Sequence, residues 1–384
     1  MSDAFPRGRT AIVGAATYGI GEMPGYEAID LAAMASRLAI EDAGLKLSDV
    51  DAVFTGLPQD FNSGLTIAEY LGIQTKMTEN NRTGGSAFLT HVAHAALALD
   101  AGACDVALIA YGSNQRTMSS GLVSAFGPSP VEAPYKPRLP VMAYGLAAAR
   151  HMHVYGTTPE QLASVAVSAR QWANLNPDAF RQGPLSIEDC LASRYVATPL
   201  RVSDCCLVTD GAAAIVMTRA DRAAHLRKAP VHVLGTAAAV THREIAQMPD
   251  LTVTGAAQSG PRALAQARLT PADVDVVQLY DAFTINTILF LEDLGFCPKG
   301  EGGRFVASGA IAPGGSLPVN TNGGGLSCVH PGMYGLFTLV EATMQLRREA
   351  GERQQDRSEI ALCHGNGGVL SSQVTTILGT ANAL

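Results

Sequence analysis

The 384-residue chain is poor in charge and has no concentration of positive charge. Charged residues make up 16%, Lys and Arg number 27 against 34 Asp and Glu, and no Lys/Arg run exceeds two residues. A formal net charge of -7 without a basic stripe cannot neutralise a row of phosphates, so no nucleic-acid partner is expected. Long apolar runs are also missing. Segments such as Val106–Ala110 have the length of a strand and fall far short of the ~20 residues of a membrane helix, so no membrane contact is expected. Residues Met1–Arg7 lack the apolar core of a signal peptide, and Thr380–Leu384 is not a Ser-Lys-Leu peroxisomal address. The expected location is the cytoplasm. The seven cysteines are scattered, and neither Cys-x-x-Cys nor His-x-x-x-His occurs, which argues against a disulfide framework and a bound metal. Adjacent Cys205-Cys206 read as small buried hydrophobes. His91 and His94 have no third ligand nearby and are expected on a dimer surface or in solvent. The glycine-rich segments 300–303 and 322–325 lack the Gly-Lys-Ser/Thr of a phosphate loop and read as turn and cavity-lining backbone.

What is present is 47% hydrophobic residues and 39 glycines, the composition of a compact α/β enzyme. An internal repeat organises it. Ala43-Gly44-Leu45-Lys46-Leu47-Ser48-Asp49-Val50-Asp51 is echoed 224 residues on by Ala267-Arg268-Leu269-Thr270-Pro271-Ala272-Asp273-Val274-Asp275. Strand-like Thr10–Gly14 is echoed by Val231–Gly235 in the same order. Each copy leads from an apolar-periodic helix (28–43; 260–267) through Asp-Val-Asp into a β-branched run. Further buried-strand runs are 105–111, 213–217, 359–363 and 373–378. Strands alternating with helices imply helices packed on mixed, largely parallel sheets. The expected division is an N-terminal half, 1–225, and a C-terminal half, 226–384. Within the first half, residues from about 121 to 200 form a Pro-rich insertion with helical patches at 143–154 and 159–173, of the kind that serves as a loop domain or lid.

Four motifs in order resemble the thiolase superfamily over nearly the whole chain. Asn80-Asn81-Arg82-Thr83-Gly84-Gly85-Ser86-Ala87-Phe88 opens a helix where thiolases carry Cys-x-Ser/Thr-Gly. Tyr280-Asp281-Ala282-Phe283 takes the place of their Asn-Glu-Ala-Phe or His-Asp-Cys-Phe block. Val329-His330-Pro331-Gly332, after Asn322–Leu326, stands for their Gly-His-Pro. Cys363-His364-Gly365-Asn366-Gly367-Gly368 matches their Cys-x-Gly block. The chain is most similar to the lipid-transfer branch and its steroid side-chain retro-aldolases. The resemblance implies a five-layered αβαβα sandwich of two duplicated halves, a homodimer, coenzyme A thioester substrates and no tightly held cofactor. For the retro-aldolase members it also implies a small partner with a zinc-ribbon and an oligonucleotide-binding-type barrel. Counted back from Gly102, the nucleophilic cysteine's place falls on Gly85, and a glycine cannot hold an acyl group.

That substitution decides between chemistries. Retro-aldol cleavage of a β-hydroxyacyl thioester needs a base for the β-hydroxyl, donors for the enolate and an acid for the α-carbon, but no acyl-enzyme. Thiolysis does need one. By resemblance His330 stabilises the enolate, and Tyr280 stands beside the same oxygen as a donor or proton shuttle, unless it is a packed strand-end tyrosine. Cys363 matches the acid/base cysteine. His364 can serve instead, and as neighbours on a strand only one of the two is expected to reach the cavity. Tyr334 either adds a second phenol or packs. Gly84, Gly85 and Ser86 at the helix start, with Gly324 and Gly367, are expected to line the substrate site. Ser86 reads as that helix's N-cap. The favoured activity is retro-aldol cleavage of a bulky, steroid-like β-hydroxyacyl-CoA. Acyl transfer using Cys363 or Ser86, and a non-catalytic acyl-CoA carrier or scaffold, stay open.

Overall fold

The structure, a computed structural model, describes residues 5–58, 60–118, 122 and 127–384. The first half runs β1 (Thr10–Gly21), α1 (Ala28–Asp42), β2 (Ala52–Thr55), α2 (Ser63–Leu71), β3 (Met77–Asn80), α3 (Ala87–Asp100) and β4 (Val106–Ser113). The inserted region carries α4 (Val141–Tyr155), α5 (Pro159–Asn174), α6 (Ile187–Ala192) and the small hairpin β5 (Tyr195–Ala197) and β6 (Leu200–Arg201). Then follow β7 (Asp210–Arg219) and α7 (Ala220–Ala223). The second half holds β8 (Val231–Val240), α8 (Ala256–Ala267), β9 (Val276–Leu279), α9 (Thr284–Asp293), α10 (Gly302–Ala307), α11 (Gly335–Leu346), β10 (Ile360–Gly367) and β11 (Ser372–Gly379).

Strands line up β3-β2-β4-β7-β1-β8-β11-β10-β9. The repeat is visible in that order. Reading inward, β2–β4 is parallel and β4–β7–β1 antiparallel, and likewise β9–β10 is parallel and β10–β11–β8 antiparallel. Among the described residues the two strand sets pair edge to edge at Ala11–His232 and Ile12–Val231. α3 and α11 contact strands of both sets, α1 covers the first set from outside and α8 the second. This is the five-layer αβαβα arrangement.

Residue-level chemistry explains why both copies keep the same motif. The second aspartate of each Asp-Val-Asp accepts backbone N–H groups at the start of the neighbouring strand. Asp51 takes those of Asp105 and Val106 at 2.9–3.0 Å, and Asp275 those of Glu359 and Ile360 at 2.9 and 3.0 Å. Each otherwise orphaned donor is thus satisfied. A glycine recurs as well. A Cβ on Gly14 would lie 2.0 Å from the Ala39 carbonyl oxygen, and one on Gly235 2.3 Å from that of Ala263. The bare backbone lets α1 and α8 lie directly on their strands.

The insertion is more helical than a Pro-rich loop suggests. α5 starts with a Thr158/Gln161 capping box and Pro159 in its first turn. α4 is fastened to α9 by buried His151, whose Nε2 lies 3.0 Å from Glu292 Oε2, and Lys299 Nζ reaches Glu292 and Asp293 at 3.1 and 2.6 Å.

His91 is a correction to the sequence expectation. It is buried on α3 between Phe54 and Phe88 at 5.9 Å from each ring, while His94 sits outside on Glu79 at 2.7 Å. Amphipathic spacing puts position 91 on the inner face of α3, three residues from its exposed neighbour. Burial drives its pKa down to about 3, with the His94 charge adding to it. The folded ring is therefore neutral, whereas the unfolded one protonates below its ordinary value of about 6.5. The stability it contributes is present above that value and is lost as pH falls toward 3. The expected result is that His91→Phe gains thermal stability relative to the parent as pH drops from 7.5 to 5. A constant difference in melting temperature across that range refutes it.

Candidate active site

A cavity of about 740 Å³ lies where the two halves and the insertion meet. The start of α3 brings Gly84 and Gly85, the end of β9 brings Tyr280, the loop before α11 brings His330, and the end of β10 brings Asn366 and Gly367. α4 closes it with Tyr144, and Phe61, Leu139, Val196 and Phe283 make much of the wall apolar. Strand ends gather here because parallel neighbours release their loops on the same side.

Tyr280 leaves no room for a side chain at Gly85. A Cβ on Gly85 would lie 1.8 Å from Tyr280 Cε2, 2.5 Å from Cδ2 and 2.9 Å from Cζ. The phenol ring occupies the space of a side chain at 85. Its hydroxyl donates to the Gly332 carbonyl at 3.1 Å, and burial holds its pKa well above 10. The His330 ring meets it edge-on at 5.5 Å. Burial pushes the His330 pKa down to about 4, opposed by a bond to its own backbone. Its Nε2 is buried and has no hydrogen-bond partner among the described residues. A buried polar atom left unpaired at a cavity wall is a place for a ligand to bind.

Gly84 and Gly367 press together, since a Cβ on Gly84 would fall 2.8 Å from Gly367 Cα; Gly84 also has φ +96°. The remaining sequence candidates lie off the cavity. Ser86 occupies the N-cap position of α3, but its hydroxyl makes no cap bond and faces Ser372 Oγ at 3.0 Å. Gly324 (φ +64°) packs against Asp281, whose Oδ2 would meet a Cβ there at 2.1 Å. Asp281 Oδ1 in turn accepts the Gly325 N–H at 2.6 Å, and burial raises its pKa to about 7. Tyr334 stands behind His330, stacked at 6.2 Å, with its hydroxyl on Asn322 Oδ1 at 3.0 Å. Cys363 points at the Thr338 carbonyl, 3.5 Å away, and burial raises its pKa. His364, on the opposite strand face, lies among Thr375, Gln373 and Phe290, with its pKa lowered by burial to about 4. Neither member of the Cys-His pair lines the cavity, which β10 reaches only with its last residues, Asn366 and Gly367.

Tyr144 lines the cavity without any motif signal, and Asn366, inside the Cys363–Gly368 block, donates from Nδ2 to the Tyr144 oxygen at 2.8 Å. Their contact spans 222 residues of chain. Cys206, expected as a buried hydrophobe, also lines the cavity, and burial holds its thiol well above its ordinary pKa. Among the described residues no group of three or more His, Cys, Asp or Glu is placed to hold a metal, and no helix is long and apolar enough to cross a membrane.

Fold and site together define a thiolase-fold protein in which a phenol ring fills the space of a side chain at position 85. Residues 237–380 match the family model described as thiolase C-terminal domain-like. The chain is 35% identical over 362 residues to the 17-hydroxy-3-oxo-4-pregnene-20-carboxyl-CoA lyase of Mycobacterium tuberculosis, covering 88% of this chain and 92% of that one. It is also 35% identical over 374 residues to an acetyl-CoA acetyltransferase of Methanothermobacter thermautotrophicus, covering 93% and 96%. The solved Ltp2-ChsH2(DUF35) aldolase superposes with a TM-score of 0.89 at 32% identity, over 97% of this chain and 98% of that one. The chain belongs to the thiolase superfamily, in its lipid-transfer and side-chain aldolase branch.

Proposed function

We propose that this protein cleaves the Cα–Cβ bond of a bulky β-hydroxyacyl-CoA by a retro-aldol reaction without an acyl-enzyme. The observation that carries this is the Tyr280 ring standing 1.8 Å from where a side chain at 85 would begin. The position that would bear an acyl group is closed, and retro-aldol chemistry does not need it. The lyase of M. tuberculosis bears a name that puts a hydroxyl on C17, the carbon next to carboxyl-bearing C20, which is the β-hydroxyacyl pattern.

His330 takes the proton of the β-hydroxyl. Its Nε2 is buried without a hydrogen-bond partner among the described residues, and burial favours the neutral ring, which can accept a proton. This replaces the enolate-stabilising role that the resemblance implies. As the Cα–Cβ bond breaks, its electron pair moves into the thioester enolate and the β-carbon leaves as a ketone or aldehyde. Tyr280 stabilises the enolate oxygen by exchanging the Gly332 carbonyl for it. The apolar wall suits a bulky, steroid-like acyl group. Acyl transfer would need another nucleophile, and Ser86 and Cys363 both face away from the cavity. We also assign this chain a homodimeric, cytoplasmic state, two halves meeting near residues 225–226 and a small partner, since the solved aldolase is a two-component assembly by name.

The test is mass spectrometry of acyl-CoA products from a panel of β-hydroxyacyl and β-ketoacyl thioesters, with and without free coenzyme A. A shortened acyl-CoA plus a carbonyl product, formed without added coenzyme A, is expected. Products only from β-ketoacyl substrates with coenzyme A would replace this reading by thiolysis. No turnover, alone or with the partner, would point to a carrier.

A further inference from the structure

The retro-aldol step ends with an enolate that must gain a proton at its α-carbon, and His364 and Cys363 are not in the cavity to give it. Tyr144 is. Its hydroxyl donates to the Gly368 carbonyl at 3.2 Å, and a carbonyl can only accept. The phenol's single proton therefore points that way, and its oxygen must accept from Asn366 Nδ2 at 2.8 Å. This one fact orients a whole chain of buried groups. Asn366 Oδ1 accepts from Gln373 Nε2 at 2.7 Å, so Gln373 Oε1 accepts from His364 Nε2 at 2.8 Å. His364 then carries its proton on Nε2, and its Nδ1 accepts from Thr375 Oγ1 at 2.9 Å. Thr375 in turn accepts from Ser259 Oγ at 2.9 Å. Every donor in the series points toward the Tyr144 oxygen, and aligned hydrogen bonds polarise one another. Such a chain stabilises the phenolate that remains after Tyr144 gives up its proton.

We propose that Tyr144 is the acid that protonates the enolate α-carbon, and that Asn366, Gln373 and His364 are its positioning relay. The proposal rests on the retro-aldol reading for the step it serves. The proton balance closes within the site. The β-hydroxyl proton resides on His330 and the Tyr144 proton forms the new C–H bond. The imidazolium proton returns to the phenolate through water that enters as product leaves. Burial lifts the phenol's pKa to about 12, and the Asn366 bond, with the Leu370 backbone and Asn286 side chain, works against that rise. Its ring is held by stacking on Phe283 at 4.4 Å.

The test reads the protonation step apart from bond cleavage. Propionyl-CoA is incubated with the protein, and its partner if one is required, in deuterium oxide, and α-deuterium incorporation is followed by mass spectrometry. The parent protein is expected to exchange the α-protons, and Tyr144→Phe, which keeps the stack on Phe283, to lose at least ~10²-fold in exchange rate. Gln373→Leu cuts the relay out of reach of the substrate. Its exchange kcat is expected to fall about tenfold with KM unchanged, whereas damage to the cavity would raise KM. Parent-like exchange in folded Tyr144→Phe overturns the proposal, as does a parent protein that exchanges nothing. If Tyr144→Phe does not fold, full exchange in Asn366→Leu overturns it. Exchange that depends on Tyr144 in a protein that cleaves no β-hydroxyacyl-CoA would instead sink the retro-aldol reading and leave Tyr144 as the acid.

Discussion

Gly85→Cys is expected to extinguish cleavage by at least ~10³-fold and to form no acyl-enzyme, although it puts a thiol where thiolases carry theirs. The new Cβ would enter the Tyr280 ring, 1.8 Å from Cε2. That ring cannot step aside cheaply. It is buried with His330 at 5.5 Å and Tyr334 at 5.9 Å, both edge-on. Relief has to come from backbone shifts, which cost about 1–3 kcal/mol of stability in an overpacked core and misplace the hydroxyl that holds the enolate. A displacement of about 1 Å costs roughly 10²-fold, and losing the donor outright costs as much or more. Gly85→Ala, with the same Cβ and no sulfur, should fail equally. The measurements are steady-state cleavage and the intact mass of each variant after exposure to acyl-CoA. An acyl adduct on the cysteine variant would show that the ring yields, and would reopen acyl transfer.

Tyr280→Phe is expected to lower kcat about 10²–10³-fold while KM moves little, because the hydroxyl serves the enolate more than the bound thioester. The ring is retained, so the space at 85 stays filled. Stability should fall by only about 1 kcal/mol, for the hydrogen bond lost at the Gly332 carbonyl. Parent-like kinetics would take the hydroxyl out of the reaction and leave the ring as a plug against the nucleophile position. Together the two variants separate what the ring excludes from what its hydroxyl contributes.

The parts of this protein that follow local rules were legible in the chain itself. Strand and helix alternation, the doubled Asp-Val-Asp with its strand-capping carboxylates, and Gly14 and Gly235 under their helices are each dictated within one supersecondary unit. Gly85 could be singled out by counting along a single helix. Tyr280 and His330 could be singled out because each lies in a block of the resemblance. The sequence did not show that Cys363 and His364 both miss the cavity, that His91 is buried, or that Gly324 makes room for Asp281. A strand's alternation says that two neighbours face opposite ways, but not what lies on either side.

The sequence alone therefore determined the duplicated α/β fold and the absence of a cysteine from the start of α3, since these depend on residue type and short spacings. Tertiary structure decided what fills the gap and which groups meet there. The ring of Tyr280 reaches Gly85 across 195 positions and Tyr144 reaches Asn366 across 222. Contacts of that separation form when the two strand sets and the helices they share come together, where packing selects the face each side chain presents.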